Sequence, residues 1–152
     1  MFTSKILIEL VPKTCFYSNV RSAVTTANWD ILRKDAYRRY QWKCSVCQSK
    51  GRMEAHEIWH YDDAKHMQKL HDIVAVCNDC HMLYHLGFAS LKGKLGACMN
   101  RLAKLNQWDI ATTKEFVDIV FEIHSQRSIY QWDIDLTWLD RFPIEYIKPQ
   151  RK

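Results

Sequence analysis

Four of the six cysteines form two Cys-x2-Cys pairs, and six of the seven histidines lie between these pairs or directly after the second one. A structural zinc ion takes four ligands at tetrahedral corners, and one Cys-x2-Cys turn supplies two thiolates from a short piece of chain. The spacing therefore predicts one structural Zn²⁺ site made by both pairs: Cys44, Cys47, Cys77 and Cys80. In the alternative ligand set, a nearby histidine binds the zinc ion in place of one of these cysteines. The other cysteines have no partner at metal-ligand spacing.

A second group of candidate ligands lies among the histidines. His81 and His85 are four residues apart, so on a helix their side chains share one face and can bind one ion. His56, at the end of a predicted short strand, is the expected third ligand. Three protein ligands leave coordination positions open, which is typical of a catalytic metal ion rather than a structural one.

Hydrophobic patterns predict the elements that carry these ligands. An apolar run that stops at a proline and alternating apolar residues indicate strands, and apolar residues at helical spacing with capping residues indicate helices. The predicted strands are 5–11, 52–58, 73–76 and 132–138, and the predicted helices are 25–41, 80–86, 95–105 and 112–130, the last started by a capping box of Thr112 and Glu115. Residues 62–70 are predicted to be a polar loop or a short helix.

The charge of the chain is unevenly distributed around its centre. The 152 residues carry a net charge of +5. Residues 1–43 hold eight Lys/Arg and three Asp/Glu, and residues 88–107 hold four Lys/Arg and no acid. Two basic segments beside a metal site are typical of a surface that binds a polyanion, although a solvated helix face gives the same pattern. The expected DNA contacts are Arg33, Lys34, Arg38, Arg39, Lys92, Lys94, Arg101 and Lys104.

No apolar run approaches the roughly 18 residues of a membrane span, and the N-terminal residues do not have the pattern of a signal peptide. We therefore expect a cytoplasmic protein without a membrane partner. The composition also excludes a disordered tail, a collagen-like fibre and a low-complexity linker.

Three segments of the chain resemble the HNH (ββα-metal) nuclease family: C-S-V-C (44–47), E-A-H-E-I (54–58) and I-V-A-V-C-N-D-C-H-M-L-Y-H (73–85). The family fold is two short antiparallel strands, a long loop and a helix around one divalent metal ion, and many members carry zinc knuckles. The flanks at 10–14, 18–21 and 131–139 look like those of uncharacterised HNH proteins from bacteria and phages.

The length of the chain predicts a single domain over residues 1–152, and the resemblance implies that its fold is α+β. A small ββα-metal core with the four-cysteine zinc site would occupy residues 44–87. A basic N-terminal strand and helix (1–43) and a helical C-terminal extension (88–152) would wrap this core. A bacterial cytoplasm is the implied setting, with a phage or another mobile element as a possible source of the gene.

The implied function is that of a metal-dependent DNA endonuclease. His56, His81 and His85 would hold Mg²⁺, Mn²⁺ or another divalent ion. The substrate would be duplex DNA, nicked on one strand per active site to leave a 5′-phosphate and a 3′-hydroxyl. The alternative function is a non-catalytic, zinc-stabilised module for nucleic-acid binding or protein interaction.

Two positions depart from the family pattern. Glu57 stands where the family has a histidine as general base, and Asp72 aligns with its middle asparagine. The candidate bases are Glu57 and His60, and a third arrangement puts Glu57 on the metal with His56 as the base. Asp72 is expected either to orient the catalytic loop or to lie on the surface.

Overall fold

A β-hairpin forms the centre of the sheet. In the computed structural model, which describes residues 3–16 and 19–149, β1 (Glu54–Asp62) pairs antiparallel with β2 (Met67–Val76). A short parallel strand, β3 (Asp133–Asp135), pairs with the other edge of β2 and gives the order β1-β2-β3. Within the described residues, β1 is therefore an edge strand and β2 is the central strand.

The prediction of a polar loop or a short helix at 62–70 is wrong for most of its length. Only residues 63–66 form the turn of the hairpin, and β2 begins at Met67. His66 provides the left-handed backbone conformation, with φ of 50°, that tight hairpin turns require. Gln68 and Leu70 are fully buried, and Lys69 and His71 between and after them are exposed. This alternation is that of a strand, although the segment is rich in polar residues.

The N-terminal segment is extended but does not join the sheet. Ile6, Ile8 and Leu10 are buried and Leu7 is exposed, which is the alternation that predicted a strand at 5–11. That prediction is wrong, because this segment makes no ladder with a strand, and the Lys5 backbone N–H donates to Asn106 instead. The alternation arises because every second side chain packs into the core, without strand pairing.

Two helices follow the N-terminal segment, α1 (Val20–Ala23) and α2 (Thr26–Arg39). The start of α2 is where the sequence predicts it, since the Thr25 hydroxyl accepts a hydrogen bond from the Asn28 N–H at 3.1 Å. The buried face of α2 carries Trp29, Leu32, Ala36 and Tyr37.

Four helices follow the hairpin: α3 (Asn78–Tyr84), α4 (Leu86–Leu91), α5 (Leu95–Asn106) and α6 (Ile110–Arg127). The predicted capping box of α6 is wrong. The cap is Asp109, whose carboxylate accepts from the Thr112 N–H at 2.7 Å, so the helix begins two residues earlier. None of the described helices combines the length and the apolar run that a bilayer crossing needs.

The predicted strand at 132–138 forms only as β3, and a 3₁₀ turn at Thr137–Arg141 replaces its second half. Two apolar clusters occupy the two faces of the sheet. One contains Val74 and Val76 with residues of α3 to α6, and the other contains Trp59, Leu70 and Ile73 with residues of α1 and α2. The fold is thus mixed α+β, with helices on both sides of a three-stranded sheet.

The central strand should dominate the stability of the fold. Replacing the fully buried Leu70 by Ala removes side-chain contacts inside the core and should lower the free energy of unfolding by about 2–5 kcal/mol. The same change at Leu91, which is 86% exposed, should have almost no effect. Urea unfolding of both variants measures the difference, and similar losses for the two would contradict this packing.

Candidate functional site

The four cysteines of the two knuckles converge. Cys44 and Cys47 lie in the turn before β1, Cys77 caps the N-terminus of α3, and Cys80 lies in the first turn of that helix. Their four sulfur atoms all lie within 4.8 Å of one another, and the Cys47 and Cys77 sulfurs are 3.8 Å apart. A tetrahedron with Zn–S bonds of about 2.3 Å has sulfur separations of roughly 3.8 Å. The predicted group of four cysteines is confirmed as a cluster that can hold an ion such as zinc.

The surroundings of the cluster favour a bound cation. Burial raises the pKa of the Cys44 and Cys80 thiols, so these groups resist ionisation on their own. Burial also acts on Cys47, but hydrogen bonds with Ser49 and with neighbouring cysteines outweigh it and bring its pKa down to about 6. A zinc ion would supply the positive charge that all four thiolates need.

Arg101 on α5 belongs to this cluster rather than to an open surface. Its Nη2 lies 3.3 Å from the Cys80 sulfur and 3.8 Å from the Cys77 sulfur, and its Nη1 lies 3.6 Å from an Asp79 carboxylate oxygen. Hydrogen bonds from outside the ligand shell stabilise the charge on metal ligands. Arg101 was expected to bind DNA phosphate, and these contacts give its guanidinium another partner.

A second cluster joins the hairpin to α3. His56 on β1 meets His81 on α3 and His85 directly after it, and one ring nitrogen of each lies within 4.8 Å of the others. The Nε2 atoms of His81 and His85 are 3.1 Å apart. Two lone pairs this close repel each other unless a proton or a metal cation lies between them. The three predicted ligands are therefore brought together.

Two neighbours fix the orientation of the rings. The Glu54 carboxylate forms a hydrogen bond with Nδ1 of His81, so the Nε2 lone pair of that ring is left for an ion. The His56 ring stacks on Tyr84, with ring centroids 4.2 Å apart. A carboxylate behind a ligating histidine is the usual outer partner in metal sites.

Burial keeps two of these histidines neutral. It lowers the pKa of His56 to about 3, and the charges of His85 and His81 act in the same direction. Burial and His81 also lower the pKa of His85. A neutral imidazole has the free lone pair that metal binding requires.

Glu57 points to the opposite side of β1 from His56, as successive strand residues do. Its Oε1 accepts a hydrogen bond from the Val20 N–H at 2.9 Å, at the start of α1. Burial raises the pKa of Glu57 to about 7, although hydrogen bonds from the Val20 and Arg21 backbone act against this rise.

One cavity connects the two sides of the edge strand. It measures about 750 Å³, and both Glu57 and the His56–His81–His85 cluster line it. Lys13 and Arg21 also line it, so two cations share the cavity with the candidate ligands. Sequence reasoning placed them in the basic segment 1–43 but did not select them, because no motif connects them with the histidines.

Two proposed site residues lie apart from this cavity. His60 is exposed and stacks on His71, with centroids 3.8 Å apart, and strand geometry places it about 13 Å along β1 from His56. Asp72 binds Arg39 at 3.2 Å and accepts from the Tyr40 hydroxyl at 3.1 Å, so it attaches α2 to β2. Neither residue is among those that line the cavity.

The predicted DNA-contacting residues do not behave as one group. Arg39 and Arg33 pair with acids of α2, namely Asp35 and Asp30, and Arg39 also donates to the Ile73 carbonyl. The remaining side chains are exposed: Lys34, Arg38, Lys92, Lys94 and Lys104. Ser18, the first residue of the flank at 18–21, lies outside the described residues.

The chain was compared with protein-family profiles, with curated protein sequences and with solved structures, and none of the three comparisons gave a match.

The contact between Arg101 and the thiolates should matter for zinc retention. Replacing Arg101 by Met removes the N–H donors while keeping a long side chain, and should weaken zinc binding by about 10- to 100-fold. Competition with a coloured zinc chelator measures the affinity. The matched control is Lys104→Met on the exposed side of the same helix, and equal affinities in the two variants would contradict this role.

Proposed function

We propose that this protein is a metal-dependent nuclease that hydrolyses phosphodiester bonds in DNA. The observation that carries the proposal is the convergence of three imidazoles from two elements, with a carboxylate behind one of them, on the wall of a cavity. A structural zinc site has no need of this second cluster. The combination is that of a catalytic metal centre supported by a separate structural ion.

The resemblance of the sequence to HNH nucleases is a second line of support for the same function. The residues that carry it (44–47, 54–58 and 73–85) are the ones that supply both metal clusters. The antiparallel β1–β2 hairpin followed by α3 agrees with the order of elements in a ββα-metal core. The short turn in place of the long family loop is a departure from it.

The donor set indicates which ions the cluster would hold. His56, His81 and His85 offer three nitrogens, and imidazole suits Ni²⁺ or Zn²⁺ better than Mg²⁺ or Mn²⁺, which prefer oxygen ligands. When bound, such an ion supplies Lewis-acid stabilisation of the charge on the phosphoryl oxygens.

The other residues of the site have separate roles in the proposed reaction. Glu54 holds the His81 ring in place through Nδ1. Lys13 and Arg21 lie on the cavity wall, where their charges attract the phosphates of the strand. Glu57 lies on the other side of β1 from His56 but lines the same cavity, and it is the proposed acceptor of the proton from the attacking water.

Cleavage of a supercoiled plasmid tests the nuclease function. Wild-type protein with Mn²⁺, Ni²⁺ or Mg²⁺ should produce relaxed circles, and a chelator should stop the reaction. His56→Ala and His81→Ala should abolish nicking because each removes a ligand, and Glu54→Gln should weaken metal binding by about 10- to 100-fold.

The matched control for these variants is His71→Ala, because His71 is exposed and stacks only on His60 among the described rings. It should nick like wild type. If no ion supports nicking while DNA binding persists, the zinc-stabilised binding module replaces the nuclease as the function.

The general base is tested separately. Glu57→Gln keeps the shape of the side chain and removes the proton acceptor, so it should lower the nicking rate by about 10²- to 10⁴-fold without changing metal affinity. His60→Ala should leave the rate unchanged, because His60 lies away from the cluster. A Glu57→Gln variant that nicks at the wild-type rate would exclude this residue as the base.

A further inference from the structure

The cavity contains a buried amide with nothing to bind. Gln68 on β2 has 0% of its surface exposed, and neither its Nε2 nor its Oε1 has a hydrogen-bond partner among the residues that the structure describes. Tyr61 lies directly opposite Gln68 in the register of β1 and β2, and its hydroxyl is also buried without a partner. Folded proteins satisfy nearly all buried polar groups, so a pair of this kind requires an explanation.

Gln68 lines the same cavity as His56 and Glu57. A primary amide presents a donor and an acceptor side by side, which matches the hydrogen-bonding edge of a nucleobase. Glutamine uses this pair when it contacts adenine through two hydrogen bonds. The amide is therefore a suitable partner for a planar ring with a polar edge.

The walls of the cavity suit the faces of such a ring. Trp29 and Trp59 line its interior, and Phe16 and Phe88 line it while remaining 70% and 52% exposed. Aromatic side chains bind unpaired bases by stacking, whatever the base, because every base has a flat face.

The shape of the cavity excludes paired DNA from its interior. Its volume of about 750 Å³ is in the range of about 300–1,000 Å³ that is usual for ligand pockets. A base can enter a pocket only when it is single-stranded or turned out of the double helix. Tyr61, opposite Gln68 in the register, lies five residues after His56, which corresponds to about 17 Å along the strand. This span exceeds one nucleotide, so a base at Gln68 belongs to a neighbour of the nucleotide at the histidine cluster.

We propose that the cavity along β1 binds unpaired nucleobases, with the Gln68 amide as the hydrogen-bonding partner of one base and the aromatic walls as its stacking surface. The preferred substrate is then single-stranded DNA, or a duplex opened locally, rather than an intact duplex. This substrate class rests on the proposed nuclease function, whereas the binding of a base does not require cleavage.

Binding of mononucleotides tests the proposal without any cleavage. dAMP, dGMP, dCMP and TMP are titrated into the zinc-containing protein without added divalent ions, and quenching of tryptophan fluorescence reports occupation near Trp29 and Trp59. We expect saturable quenching by at least one nucleotide, and affinity at least about tenfold lower in Gln68→Leu, because its two hydrogen bonds are lost. Gln126→Leu, on the exposed side of α6, should bind like wild type.

Urea unfolding of the free proteins separates a binding role from a structural one. Gln68→Leu should be as stable as wild type or more stable, since it removes an unsatisfied buried amide. If Gln68→Leu instead binds every nucleotide as wild type does, or if no nucleotide quenches the fluorescence, the proposal is overturned.

A labelled 12-mer measured by fluorescence polarisation extends the test to DNA. The single strand should bind more tightly than the same sequence as a duplex, and Gln68→Leu should remove most of this preference. Plasmid nicking without nucleotide binding would contradict the base pocket and leave the nuclease in place. Nucleotide binding without nicking would support the base pocket and contradict the nuclease.

Discussion

Glu54 pairs with Val76, the last residue of β2, and the position of each chemical group follows from this register. The pairing places His56 opposite Val74, close to the start of α3, where His81 and His85 can meet it. Side chains alternate along a strand, so a slip of one residue would turn His56 towards α1 and Glu57 towards α3. The histidine cluster, the cavity and the position of Gln68 would all be lost together.

The cysteine cluster is the feature best placed to hold this register. Cys44 and Cys47 precede β1, and Cys77 and Cys80 follow β2, so one ion would connect the two open ends of the hairpin. The Ser45 N–H also donates to the Ala75 carbonyl at 2.9 Å, which attaches the first knuckle to β2. Arg101 extends the connection to α5. An ion at this place would stabilise the alignment of the other cluster without touching its ligands.

The sequence predicted the features that depend on short spacing. Cys-x2-Cys pairs and histidines four residues apart are local patterns, and both clusters are assembled as expected. The start of α2 at Thr25 was also predictable from its cap. Features that depend on contacts between distant residues were not predictable, such as the guanidinium of Arg101 on Cys80 and the Lys13 side chain beside the cavity.

The polar residues in segment 62–70 led to a wrong prediction of its structure. Gln68 and its neighbours were expected in a loop because polar residues are usually exposed, yet Gln68 is among the most buried residues described. The N-terminal segment gave the opposite error, since its alternation of buried and exposed side chains arises from packing rather than from strand pairing. In both segments the contacts with distant residues determine whether a strand forms, and the amino-acid composition contains no information about these contacts.

The contacts of Arg101 also give the cysteine cluster two chemically different halves. Four thiolates around Zn²⁺ carry an excess of two negative charges, and the guanidinium partly neutralises it on the side of Cys77 and Cys80. Cys47 is half-buried, and the Ser49 hydroxyl and backbone lie beside its sulfur. Oxidants attack electron-rich, accessible thiolates first. Oxidative release of the ion would therefore begin at Cys47, in the knuckle before β1, while the half of the cluster on α3 stays protected.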